Sequence, residues 1–269
     1  MTPEESKRGT KTPSIEGVVT RTGDVSSPSP KVGPIKNLKR RYDFYKTLRL
    51  TPDNDRVSRR AAYAPLVARI PTRIPGLASI DQFARSRVFV RDLQCLNDVL
   101  SLTPASNSYW VWAGMLLGWA REGRVLRHDL HDADFAYAEA DEHLMLQGID
   151  ALVEAGFQRG FSFRNNAGVL TEHTLVRHGA KFEFFRMTSD ASEWEYQMYG
   201  SEQHLQVQLT ARLSRQSLVP FEFVDRTWLK PTDHASELTA LYGNWMVPDP
   251  GWNYLNTGGV IKREEWQGG

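Results

Sequence analysis

One stretch constrains this chain more than any other. Trp110 to Tyr137, WVWAGMLLGWAREGRVLRHDLHDADFAY, runs through an apolar strand, a glycine turn, a short helix, a basic loop and paired carboxylates. Asp132 and Asp134 are separated by one residue. Side chains alternate faces along a strand, so an extended HDADFAY projects both carboxylates from one face and turns Ala133 and Phe135 to the core. Two carboxylates on one rigid edge repel each other unless a cation lies between them, and hard divalent ions such as Mg²⁺ or Mn²⁺ take oxygen ligands. This is a metal site in outline, set against the commoner reading of an Asp-x-Asp pair as a solvated turn.

Upstream, Gly114 lies between an apolar run and Met115-Leu116-Leu117-Gly118-Trp119-Ala120-Arg121. A glycine there lets the backbone approach a phosphate as a helix begins. Arg121 falls about two turns into that helix, where it either forks two phosphate oxygens or stands as an exposed helical arginine.

Read together, AGMLLGWAREGRVLRHDLHDADFAY resembles the core motif of the LicD/fukutin family of nucleotidyltransferase-fold proteins, in which a Gly-x-Leu-Leu-Gly-x-x-Arg helix precedes an Asp-x-Asp strand. A second segment, LTALYGNWMVPDPGWNYL, resembles the family's closing helix and Pro-rich tail, so the likeness spans roughly Phe89 to Leu255. The resemblance implies an α+β nucleotidyltransferase (polymerase-beta-like) fold, a mixed β-sheet flanked by helices. It implies transfer of a phosphate-linked group, of phosphocholine, phospho-sugar or phospho-alditol type, from a CDP- or UDP-linked donor to a sugar hydroxyl of a glycan. On that likeness Asp132 and Asp134 hold the metal, and Gly114, Met115, Arg121 and His131 lie on the substrate side. The chain departs from the family pattern in two places. Met115 stands where relatives carry Ser or Thr, and His128-Asp129-Leu130-His131 replaces a Trp and further aspartates.

A third carboxylate is expected from a neighbouring strand. In Lys181-Phe182-Glu183-Phe184-Phe185 alternation puts the two inner phenylalanines on one face and Glu183 on the other, and the resemblance gives Glu183 a place beside the Asp pair as ligand or as base toward the acceptor hydroxyl. Glu195 is the competing choice, and a solvent-facing Glu183 is the plain reading of the strand. His128-Asp129 and His131-Asp132 also admit a phosphohydrolase of the HD kind, which draws its ligands from several helices, whereas the residues after Asp132 read as a strand. His173 and His178 flank a turn and read as surface residues. A degenerate member that binds nucleotide or glycan without turnover is the non-enzyme alternative, which Met115 favours.

Charge bounds the partners. Residues 1 to 60 hold 14 Lys/Arg against 7 Asp/Glu, which leaves about −6 on the remainder of a chain whose total is +1. A mildly acidic folded part argues against non-specific nucleic-acid binding, which needs a basic face. The single cysteine, Cys95, excludes an internal disulfide and suits a reducing compartment. No apolar run reaches the length of a membrane span, so a cytoplasmic location is expected.

Three regions are expected along the chain. Residues 1–35 carry too few apolar side chains to offset ordering and read as a disordered tail. Residues 36–80 read as a basic segment, with Phe44, Tyr45 and Leu48 on one side, followed by a proline-punctuated wrap. Residues 81–265 form the domain. Its opening helix spans Ile80 to Leu102, and a later helix capped by Asp141 carries the stripe Leu144, Ile149, Leu152, Val153 and ends at Gly156. Short strands then turn at Asn165-Asn166 and Gly179, and a last helix with Leu238, Leu241 and Tyr242 inward stops at Gly243. Trp245, Trp252 and Tyr254 are read as core aromatics, with an acceptor wall as the alternative.

Overall fold

A computed structural model of the chain describes residues 77–127, 129–190, 192–202 and 205–267. The expected tail and most of the basic segment and wrap lie outside the described residues. The first element, helix α1 (Leu77–Ser101), begins four residues before the expected domain boundary, directly after the prolines. Phe89, Leu93, Leu96 and Leu100 recur at helical spacing and are all buried, which fixes the face that α1 turns to the core.

Strand β1 (Tyr109–Val111), helix α2 (Ala113–Glu122) and strand β2 (Asp132–Ala138) follow, then helix α3 (Glu142–Glu154). Next come β3 (Gln158–Arg164), β4 (Leu170–Arg177), β5 (Ala180–Ser189), β6 (Glu193–Glu202) and β7 (Leu205–Ser214). The hairpin β8 (Leu218–Phe223) and β9 (Arg226–Pro231), helix α4 (His234–Tyr242) and β10 (Val260–Glu265) close the chain.

Eight strands form one mixed sheet in the order β1-β2-β5-β6-β7-β10, with β4 pairing on β5 and β3 on β4, while β8 and β9 stand apart as a two-stranded ribbon. All pairings in the eight-stranded sheet are antiparallel except β2 with β5. The expected α+β architecture, a mixed sheet flanked by helices, is therefore present. Between β2 and β5 lie α3 and the hairpin β3–β4, long enough a connection to return the chain in the same direction, as parallel pairing requires.

Two apolar clusters lie on opposite faces of this sheet. Ala133, Phe135, Phe182 and Phe184 face the first, with α1, α2 and α3; Trp228 of the ribbon stacks on Phe135, ring centroids 5.6 Å apart. The stripe of α3 is Met145, Ile149 and Leu152, while Val153, expected inward, is 36% exposed. Trp110, Trp112, Ala136, Phe185 and Tyr196 belong to the second cluster, which Leu241 of α4 covers. Gly243 ends α4 at φ +66°, as expected from its sequence. His173, read as a surface residue, is buried on β4, because the strand runs through the sheet before the turn at His178 and Gly179. No helix among the described residues is long and apolar enough to cross a membrane.

Candidate functional site

The site is built on register. β2 and β5 pair so that Asp132 lies opposite Lys181 and Asp134 opposite Glu183. Alternation then projects all four side chains from one face, while Ala133, Phe135, Phe182 and Phe184 fill the core behind them. A carboxylate oxygen from each of Asp132, Asp134 and Glu183 lies within 4.8 Å of the other two. The structure thus brings together the three acids singled out from the sequence, and it removes Glu195 from consideration. Glu195 pairs with Arg212 on the neighbouring strand and does not line the cavity.

Helix α2 enters over this cluster. Trp112 donates its amide to the Asp134 carbonyl at 3.0 Å, Ala113 takes φ +41°, and the Gly114 amide donates to Asp134 Oδ2 at 3.0 Å. The amide expected to meet a phosphate therefore holds a metal-type carboxylate in place at the positive end of the helix. Space for a side chain there is tight. A Cβ on Gly114 would lie 3.0 Å from Asp134 Oδ2 and 3.1 Å from Asp129 Oδ2.

Two expected substrate-side residues are not in the cavity. Met115 follows the inward turn of α2 and is buried in the first apolar cluster, so its side chain reaches no ligand. His131 lies in the turn before β2; it is exposed and does not line the cavity. His128 lies outside the described residues. Arg121 does line the cavity from the last turn of α2. One terminal nitrogen donates to the Trp245 carbonyl at 3.4 Å, while buried Nε has no hydrogen-bond partner.

Three further residues join the site: Lys181 and Glu172, which carry no motif signal, and Asp129, noted in the sequence only as part of the His128-Asp129 pair. Lys181 places its ammonium 2.7 Å from Glu183 Oε1 and 3.1 Å from Asp132 Oδ2. Glu172, on β4, is buried on the same side and accepts from Thr174 Oγ1 at 3.3 Å. Asp129 supplies a further acid above Asp134. Glu172 and Lys181 come together through the pairing of β4 and β2 with β5, which no local sequence pattern announces.

Burial and mutual repulsion set the protonation of these acids. Burial first, and Glu183 beside it second, push the Asp134 carboxyl up to about 7; burial and then Asp134 push Asp132 up to about 6. Glu183 and Glu172 are raised for the same leading reason. Burial alone would lower the Lys181 ammonium, but the charges of Glu183 and Asp132 outweigh it and hold the proton firmly. The cluster is short of positive charge, and Asp132 Oδ1 is buried without a hydrogen-bond partner.

A cavity of about 860 Å³ rises from this floor. Six acids and two bases line it among the described residues: Asp129, Asp132, Asp134, Glu172, Glu183 and Asp249 against Arg121 and Lys181. Its opposite wall is aromatic. Trp245, Trp252 and Tyr254, read from sequence as core, belong to that wall, and Trp252 packs on Tyr242 with ring centroids 4.5 Å apart. Trp245 also packs against the first apolar cluster, whereas Tyr254 is exposed.

Neither a scan against protein-family models nor a search of the curated proteins returns a match to this chain.

Proposed function

We propose that this chain is a metal-dependent transferase of nucleotidyltransferase fold that moves a phosphate-linked group from a CDP- or UDP-type donor to a sugar hydroxyl. The observation that carries the reading is the convergence of Asp132, Asp134 and Glu183 at the floor of an acidic cavity. A diphosphate would be repelled by six acids facing two bases, so a divalent cation must accompany it. The donor set fits Mg²⁺ or Mn²⁺: three carboxylate oxygens, one orphaned oxygen on Asp132, and a glycine whose missing Cβ keeps the carboxylates free. When bound, such an ion supplies neutralisation of charge that develops on the leaving phosphate.

The chain's own groups divide the remaining work. Gly114 N–H fixes the rotamer of Asp134. Arg121, which lines the cavity from the last turn of α2, offers its guanidinium to a phosphate oxygen. Glu183, held by Lys181, takes the proton of the acceptor hydroxyl, and the aromatic wall stacks against the acceptor sugar and keeps water out. That wall favours a glycan acceptor over water, and with it a transferase over a hydrolase. A second reading, nucleotide binding without turnover, is supported by the Lys181 ammonium already seated between two of the three acids.

The test is a thermal-shift screen of CDP- and UDP-linked donors with and without Mg²⁺ or Mn²⁺, followed by turnover on each hit. Stabilisation that needs the metal, with group transfer, is expected. Stabilisation without turnover favours the binding reading, equal stabilisation under excess chelator rejects the metal-dependent transferase, and no stabilisation by any donor rejects both.

A further inference from the structure

We infer that Lys181 is a resident counter-ion that keeps a bare divalent cation out of the three-acid cluster, so that the cation enters only together with its diphosphate. This rests on the metal reading above and adds a rule of entry to it.

The geometry is specific. Lys181 lies directly opposite Asp132 in the β2–β5 register, and its amide donates to the His131 carbonyl at 2.8 Å, which pins its backbone at the head of the site. Its ammonium bridges Glu183 Oε1 and Asp132 Oδ2 at 2.7 and 3.1 Å. The third acid, Asp134, is held by the Gly114 amide instead. Each of the three ligands thus has a donor before any metal arrives, and two of them share one positive charge. A cation entering alone must displace that ammonium or lie beside it, like charge against like charge in a poorly solvated pocket. Lys181 lines the same cavity as the acids, so an ammonium displaced from them would still share that cavity with the cation.

A diphosphate changes the balance. It brings its own negative charge against the metal, and Lys181, on a flexible four-carbon stem, can turn from the carboxylates to a phosphate oxygen without leaving the cavity. Metal and diphosphate then assist each other's binding, and by linkage each raises the other's affinity by the same factor.

The experiment measures Mn²⁺ binding through quenching of the cavity tryptophans Trp112, Trp245 and Trp252, with Mn²⁺ alone and with preformed Mn²⁺–pyrophosphate, in the full chain. Melting temperature is recorded alongside. Wild type is expected to bind Mn²⁺–pyrophosphate at least tenfold more tightly than Mn²⁺. Lys181→Met should bind Mn²⁺ alone about tenfold more tightly than wild type and lose most of the benefit of pyrophosphate. Lys181→Gln, which keeps a hydrogen-bond donor but no charge, is read in the same way should the methionine variant not fold. Lys181→Arg should behave as wild type. Wild type that binds Mn²⁺ equally with and without pyrophosphate, or uncharged variants that bind it no more tightly, overturn the inference while leaving the metal site standing. Absence of any Mn²⁺ effect in wild type and all variants overturns the metal reading itself.

Discussion

On one face of β2 and β5, Ala133, Phe135, Phe182 and Phe184 are fully buried in a dry core. On the other, one residue away at each step, Asp132, Asp134, Lys181 and Glu183 crowd four charges into a half-buried cluster. The backbone hydrogen bonds are shared, so the difference is one of side chains alone. The apolar face supplies the rigidity that holds the acids against one another, and the acidic face stores repulsion that the core must withstand. Substitutions on the two faces should separate cleanly, one set lowering stability and the other lowering ligand binding and turnover.

The largest effect is expected from Asp134→Asn. On the proposed function it removes a ligand oxygen without changing volume, so metal-dependent stabilisation should vanish and transfer should fall by a thousandfold or more, roughly 4 kcal/mol of transition-state stabilisation. The fold should hold or gain, because a carboxyl raised to about 7 by burial and by Glu183 is no longer forced to ionise. Retained wild-type turnover in this variant sinks the site assignment. Phe184→Ala tests the opposite face. The side chain is fully buried and stacks on Phe135 with centroids 5.2 Å apart, so a loss of about 3–5 kcal/mol in denaturant unfolding is expected. Below its lowered transition the folded variant should still bind Mn²⁺ and donor, since no ligand has been touched.

The same alternation explains what was legible in the sequence. A period of two turned Asp132 and Asp134 to one side of their strand and Glu183 away from its phenylalanine neighbours on another, because strand geometry dictates this within each strand; that the two sets share a face follows from the β2–β5 register, which the sequence carried only through the family resemblance. Gly243 and the inward residues Leu238 and Leu241 were readable for the corresponding reason in a helix. Lys181 and Glu172 were not, since they reach the site only through the parallel register of β2 with β5 and the pairing of β4. Met115 and His131 were drawn in by counting along a motif. Each lies next to a cavity residue in sequence but does not line the cavity, which a motif does not record. The aromatics after α4 were ambiguous by composition, because a tryptophan covering a cavity and one filling a core carry the same apolar surface.

Gly114→Ala probes the seam between the faces, where α2 meets the acids. The added methyl would lie 3.0 Å from Asp134 Oδ2 and 3.1 Å from Asp129 Oδ2, so the carboxylates must give by a few tenths of an ångström. Core packing is untouched, and the melting temperature should move little. Mn²⁺ binding should weaken by about tenfold, on the order of 1.4 kcal/mol, because the shifted oxygen is a ligand. Binding unchanged from wild type would show that Gly114 does not position Asp134.

The most gradual effect concerns pH, and its sign is fixed by the direction of the shifts. Asp132 and Asp134 stand at about 6 and about 7 in the fold, above the ordinary aspartate value of 3.8, chiefly through burial. A raised folded value means that the fold prefers the protonated acid, so the stability this contributes is complete below the unfolded value near 4. It is lost as pH rises through 6 and 7. Metal-free protein should therefore be less stable at pH 8 than at pH 5, by a loss spread over that whole range, to which the raised Glu183 and Glu172 add in the same direction. Saturating Mn²⁺ competes with the protons and should flatten the curve. Glu237 of α4, whose buried carboxyl burial pushes up to about 8, adds a slope of the same sign away from the cluster. Unfolding is best compared in the Glu237→Gln background, where that contribution is absent; His173, which burial pushes down to about 4, adds a slope of opposite sign below its ordinary value of 6.5 that is common to every variant compared. There Asp134→Asn should shrink the pH dependence and Phe184→Ala should leave its size unaltered while lowering stability at every pH. A slope that survives both Mn²⁺ and Asp134→Asn in that background would mean that the charge stored on this face is not where the protein responds to pH.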